Sequence, residues 1–301
     1  MGAAKFLRGL ARRFPPRRLT VIVNTGDDEN FYGLHVSPDV DTVTYTLAGM
    51  VNPAAGWGLK DDTFAALEAL SRFYGKPWFN LGDRDLATHL YRTERLRSGA
   101  SLSRVTAEIA KRLGGGAGIL PMSDDRVHTW VKLRGRAAMP FQEYFVRNRA
   151  RGNVERIELR GVEKARPLPA ALTAIRQASA VILAPSNPFV SLGPILALKG
   201  VRRELQKMRP RVAAISPIVG GRTVKGPADR MMRAFGHEVS PLGVARLYRD
   251  IARVFIMDIR DRQYLEPVRE LGMEPIAVDT VMTTPAKSAR LAGIVLDALR
   301  V

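Results

Sequence analysis

The chain has 301 residues, 46% hydrophobic and 25% charged, a balance that supports a buried core and excludes the disordered class. It has no cysteine, which rules out disulfides, thiolate metal sites and cysteine nucleophiles and fits a reducing compartment. The net charge of +18 points to phosphorylated partners; its basic residues form only short clusters (Arg12–Arg13, Arg17–Arg18, Arg202–Arg203) with no aromatic-interleaved stripe, so small phosphorylated molecules are expected rather than nucleic acid.

In chain order, Met1 to Arg18 is basic, lacks an apolar signal segment and reads as a first core helix. No apolar run nears the roughly 20 residues that span a bilayer, so a cytoplasmic protein without membrane contact is expected. Leu19–Asn24 is a short β-branched strand that opens into Gly26-Asp27-Asp28. Val40–Gly49, Thr63–Tyr74, Asp83–Arg95 and Ser101–Leu113 have helical apolar spacing, with Asp62 or Thr63, Asp83 and Ser101 as N-caps. Beyond Gly114-Gly115-Gly116, the runs Gly118–Pro121, Val127–Leu133, Gln142–Val146 and Val154–Leu159 read as strands, the middle two as a hairpin turning near Gly135.

From Pro167 short apolar strands alternate with helices. The strands are Ala180–Ala184, Val212–Ile215, Val254–Asp258 and Glu274–Val278. The helices are Pro169–Ala178, Gly193–Met208, Ala228–Phe235, Pro241–Tyr248, Tyr264–Leu271 and Pro285–Leu299. This alternation predicts an α/β fold with a doubly wound, mainly parallel sheet. Residues 1–50 and 114–301 are assigned to that domain, and 51–113 to a helical insertion.

Ligands of open parallel sheets sit beyond the carboxyl ends of the strands, so the loops there hold the candidates. Ser186-Asn187-Pro188 reads either as an N-cap or as a phosphate cradle. Gly220-Gly221, after Ser216, is either a flexible loop or a close backbone approach to phosphate, with Lys225 as a point charge. Asp27, Asp28, Asp39 and Asp41 serve either as turn and cap residues or as a Mg²⁺ site for phosphoryl-type transfer. His35, His89, His128 and His237 lack zinc-ligand spacing, and neither a GxSxG elbow nor a Walker loop occurs.

Several separated motifs occur in one order: Asn24-Thr25-Gly26-Asp27-Asp28, Ser37-Pro38-Asp39-Val40-Asp41-Thr42, Gly56-Trp57-Gly58, Asn80-Leu81-Gly82-Asp83-Arg84-Asp85 with Thr88-His89, Gln142-Glu143-Tyr144-Phe145, Pro185-Ser186-Asn187-Pro188 and Ser216-Pro217-Ile218-Val219-Gly220-Gly221. With them, from Lys5 to about Ala292, the chain resembles the 2-phospho-L-lactate transferase family. The resemblance implies a Rossmann-like fold with a largely helical addition. It also implies transfer of a phospholactyl or phosphoenolpyruvyl group from its GMP diphosphate conjugate to the ribityl hydroxyl of the deazaflavin Fo, with Mg²⁺, in coenzyme F-420 biosynthesis.

Carried over residue by residue, it makes Asp27 and Asp28 the catalytic and metal pair, with Asp39 and Asp41 as further metal ligands. Ser186, Asn187, Pro188, Ser216, Gly220, Gly221 and Lys225 fall to the nucleotide and diphosphate, with Asn24 beside them. Asn80, Asp83, Asp85 and His89 fall to the acceptor; Trp57 and Trp78 are stacking candidates, core packing being the competing reading. The family's Gly-Gly-x-Gly-x-x-Lys pattern is reduced here to Gly2 and Lys5, and an in-frame strand ending in Gly-Gly is expected from the DNA upstream of Met1. A homodimer is the base-rate expectation. The alternatives are a nucleotide- or nucleotide-sugar-binding regulator of the same superfamily and a nucleic-acid-binding protein.

Overall fold

The computed structural model of the chain describes residues 2–301. α1 (Gly2–Arg13) buries Phe6, Leu7 and Leu10, which share one face at helical spacing. β1 (Thr20–Val23) leads into the Asn24–Asp28 turn, and an antiparallel hairpin follows, β2 (Glu29–Phe31) and β3 (Leu34–Val36). α2 (Pro38–Leu47) begins on a proline, which needs no N–H partner there. α3 (Ala65–Tyr74), α4 (Asp83–Arg97) and α5 (Leu102–Arg112) come next, the last capped by Ser101 Oγ, which accepts from Arg104 N at 3.3 Å. β4 (Gly118–Pro121) pairs in parallel with β1. β5 (His128–Leu133) lies between β6 (Ala138–Pro140) and β7 (Val154–Arg160) in an antiparallel sheet.

The rest alternates as expected: α6 (Pro169–Gln177), β8 (Val181–Leu183), α7 (Leu192–Ala197), α8 (Val201–Lys207), β9 (Val212–Ile215), the hairpin β10 (Ile218–Val219) and β11 (Arg222–Thr223), α9 (Ala228–Ala234), α10 (Pro241–Tyr248), β12 (Val254–Asp258), α11 (Leu265–Glu270), β13 (Glu274–Val278) and α12 (Pro285–Leu299). β13-β12-β9-β8 form a parallel sheet; β1-β4 form a second parallel ladder, and the remaining strands pair antiparallel.

Side chains alternate across a strand, so each buried strand feeds two cores. Val212, Ala214, Phe255 and Met257 pack on one face with α8 and α10. Ala213, Ile215, Val254 and Ile256 pack on the other with α1, α2 and α12. Helices thus cover both faces, as parallel strands require, and the strand ends are left to carry the loops. Among the described residues no helix is long and apolar enough to cross a membrane.

Three local expectations are corrected. Gln142–Val146 is no strand: Glu143–Arg147 is a π-helical turn, and Ala138–Pro140 pairs with β5 instead. Phe141 and Phe145 stack with their ring centres 5.4 Å apart. A helical turn brings residues four apart together in this way, whereas an extended strand would separate them by about 13 Å. The helix expected over Gly193–Met208 breaks at Gly200, whose φ of +92° suits glycine, giving α7 and α8. Asp83 does not cap its own helix: its carboxylate accepts from Ala65 N and Ala66 N of α3, while Asp62 accepts from Arg84 N and Asp85 N of α4. The two helices cap each other.

Candidate active site

A cavity of about 430 Å³ opens where the loops after β1, β8, β9 and β13 meet α2 and α4. That is room for one small-molecule site. Ten of the sequence-derived candidates line it: Asp27, Asp39, Asp41, Asn80, Asp85, His89, Ser186, Asn187, Ser216 and Lys225. The turn after β1 and the loops after β8 and β9 therefore share one space.

On the loop wall, Asp27 is buried and its Oδ1 has no hydrogen-bond partner among the described residues. Burial, then the neighbouring Asp39 and Asp28 charges, push its carboxyl well above the ordinary range. Asn24 fixes this wall: its Nδ2 donates to Asp39 Oδ2 (3.1 Å) and to the Val190 carbonyl (3.2 Å), and its Oδ1 accepts from Gly26 N at 2.8 Å. Gly26 must lack a side chain, since a Cβ would lie 2.6 Å from Thr129 Oγ1. Gly2 and Lys5, in the first turn of α1, also line the cavity, and a Cβ on Gly2 would collide with the Pro185 carbonyl. Burial and then the Lys225 and Arg8 charges lower the Lys5 amine, a concentration of positive charge that suits phosphate. Asn187 shapes its loop, Oδ1 accepting from Phe189 N at 2.9 Å.

The helical wall is built differently. Arg92 is completely buried beneath the cavity and grips both oxygens of Asp41, Nη1 reaching Oδ2 at 3.1 Å and Nη2 contacting Oδ1. Asp85 Oδ1 accepts from the Tyr45 hydroxyl at 2.7 Å and lies 3.3 Å from His89 Nε2. Burial pushes the Asp85 carboxyl up, but the His89 ring, the Tyr45 hydroxyl and the Arg92 charge together outweigh it and hold it below the ordinary value. Asp41, Asp85 and His89 are close enough to share a cation; Arg92 already supplies the positive charge there. Phe79, Phe141, Phe145 and the half-open Trp57 give the cavity an apolar side.

Other candidates lie outside. Asp28, though next to Asp27, turns away: its Oδ2 accepts from Ser37 Oγ (2.7 Å) and contacts His35 Nε2 (3.1 Å). Burial raises its carboxyl, and those partners only partly offset the rise. Asp83 is the exposed cap of α3, and Asn24 is buried behind the wall that it ties together. Pro188, Gly220 and Gly221 belong to cavity loops without lining the cavity. Trp78 packs edge-on against Phe31 at 5.2 Å, in a small core.

For a divalent cation, Asp27 and Asp39 fit. The Asp39 charge raises the Asp27 carboxyl, and Asp27 keeps a buried oxygen without a partner among the described residues. Arg92 already grips both oxygens of Asp41, and Asp28, whose Oδ2 meets Ser37 and His35 while its Oδ1 has no partner among the described residues, does not line the cavity.

The sequence gives no role to Tyr45 or Arg92, while Lys5, the remaining lysine of the family pattern, and the loop from Thr280 after β13 are legible only as segments, not as cavity lining. Asp258 and Asp261 stand out in sequence as strand-end acids, but not their partners: Asp261 accepts from Gly220 N at 2.9 Å, and Asp258 from Thr280 N at 3.0 Å.

The profile of the family described as 2-phospho-L-lactate transferase CofD matches residues 1–294. A phosphoenolpyruvate transferase of Streptomyces griseus is 42% identical over 302 residues, covering 99% of this chain and 95% of that protein. A 2-phospho-L-lactate transferase of Methanosarcina mazei is 40% identical over 297 residues, covering 99% and 97%. The crystal structure of protein BH3568 from Bacillus halodurans matches with a TM-score of 0.63 over 98% of this chain and 96% of that one, at 17% identity, a likeness of fold alone.

Proposed function

Because this chain belongs to the 2-phospho-L-lactate transferase family, we propose that it is the F-420 biosynthesis transferase that moves a phospholactyl or phosphoenolpyruvyl group from its GMP diphosphate conjugate to the ribityl hydroxyl of Fo, releasing GMP. The observation that carries the reading is the cavity's division: phosphate-seeking cations and the Asp27–Asp39 pair on the side of the loops and the first turns of α1 and α2, apolar rings and pre-paired polar groups deeper along α2 and α4.

The diphosphate lies against Lys5, Lys225, Ser186 and Asn187, at the first turn of α1, where helix N–H groups favour anions. Asp27 and Asp39 hold Mg²⁺, which when bound neutralises charge on the reacting diphosphate. The deazaflavin lies along Trp57, Phe79 and Phe145, with Asn80 and Asp41 within its reach. Residues 51–113 serve as the helical acceptor portion of a Rossmann-like, doubly wound body. A cytoplasmic location and a homodimer go with this reading, the latter measured by light scattering.

The test is incubation with Fo, Mg²⁺ and each guanylylated acid, followed by mass analysis. Formation of a phosphodiester-extended deazaflavin together with GMP is expected. No product with either acid, by protein that is folded, overturns the reading. Relatives named for the two acids are 42% and 40% identical to the chain, so the choice of acid is left to that assay.

A further inference from the structure

Four carboxylates line the cavity, and three are committed. Asp27 and Asp39 form the cation-seeking pair, and Arg92 occupies both oxygens of Asp41. Asp85, outside both arrangements, has one oxygen held and one free. Its Oδ1 accepts from Tyr45, and its Oδ2 takes no hydrogen bond among the described residues.

His89 is the rival proton acceptor, and geometry removes it. Its Nδ1 lies 3.3 Å from Arg92 Nη1. A guanidinium only donates, so Nδ1 accepts and the ring proton sits on Nε2, 3.3 Å from Asp85 Oδ1. The ring's one lone pair is turned into Arg92, away from the cavity.

We propose that Asp85 is the general base of the transfer, with Tyr45 and His89 as positioning residues and Arg92 fixing the His89 tautomer. The inference rests on the function proposed above. The proton of the acceptor hydroxyl moves to Asp85 Oδ2 as its oxygen forms a bond to the transferred phosphorus. The bond from that phosphorus to the bridging oxygen breaks, and its electron pair leaves with GMP. The lowered carboxyl of Asp85 leaves the group ionised and able to accept a proton, at a cost in basicity, so the geometry and not the shift carries the assignment. A strand-end or loop carboxylate would wander; this one stands on a helix, with Tyr45 and His89 buried around it.

The test is Asp85→Asn, assayed for turnover at saturating Fo and for Fo binding by deazaflavin fluorescence. Loss of a general base predicts a fall in kcat of about 10²–10⁴-fold while the acceptor dissociation constant changes little. Added formate is expected to restore part of the activity of Asp85→Ala, which a purely structural loss would not permit. Tyr45→Phe is expected to lower kcat with the acceptor KM retained. A kcat for Asp85→Asn near that of the wild type, or a defect confined to acceptor binding and cured by saturation, overturns the assignment. Absence of turnover by the wild type would instead overturn the function itself.

Discussion

Asp27, on the loop wall of the cavity, is buried with an unshared oxygen and a second carboxylate beside it, whereas Asp41 and Asp85, on the helical wall, are just as buried but come with partners built in. A buried charge must be balanced by something. On the loop wall the balance is left to what binds; on the helical wall Arg92, Tyr45 and His89 provide it. One wall is electrostatically incomplete and the other is pre-organised, and each can be broken separately.

The largest effect is expected from the helical wall. Arg92→Met strands Asp41 as an uncompensated buried charge, and breaking such a pair costs about 3–5 kcal/mol. Urea unfolding measures it. A loss below about 1 kcal/mol would mean that the wall is not held by this pair. Asp27→Asn breaks the loop wall instead. Removing one charge-stabilising group typically lowers kcat by about 10²–10³-fold, and weaker Mg²⁺ binding by calorimetry should accompany the loss. Asp28→Asn is the control one residue away: it loses a charge that faces Ser37 and His35, and turnover close to the wild type is expected.

The contrast between Asp27 and Asp28 also marks how far the sequence could be read. Alternating apolar runs placed β8, β9, β12 and β13 within a residue or two, because buried parallel strands leave a strong signal. The acidic turn after β1 was equally legible as a segment. Which of its two carboxylates enters the cavity was not, since Gly26 and the Asn24 clamp set that direction through contacts with Thr129 and Val190, more than a hundred residues away. Arg92 escaped for a related reason: an arginine inside an amphipathic helix reads as surface, and only the approach of Asp41, 51 positions earlier, makes it core. The Phe141–Phe145 turn was mistaken for a strand because so short an apolar run carries no decisive period.

The cations of the loop wall give a pH test. Lys5 titrates below the ordinary lysine value, owing to burial and the nearby Lys225. The amine must be charged to hold phosphate, so donor KM should rise with pH through that lowered pKa, earlier than an exposed lysine would allow. Lys5→Arg keeps the charge and should flatten the rise. Lys5→Met should weaken donor binding by about 1.5–3 kcal/mol, the worth of a hydrogen bond to a charged group. Acceptor affinity should not respond to either change. If it does, the two walls do not divide the substrates.

The smallest expected effect tests how the helical wall is aimed. Asp62 accepts from Arg84 N at 2.8 Å and Asp85 N at 3.2 Å, so it caps the helix that carries Asp85 and His89. The Asp62 carboxylate sits against Gly82, where any Cβ would collide with it, so the cap and the glycine form one unit. Asp62→Ala should cost about 1 kcal/mol of stability, as lost caps do, visible as a modest drop in melting temperature. Fraying of the first turn would loosen Asp85 more than His89, because Asp85 lies in that turn and His89 one turn further in. The variant should therefore lose kcat and acceptor affinity modestly while keeping the donor KM of the wild type. A defect in donor KM would show instead that α4 braces the loop wall as well, and the separation of the two walls would fail.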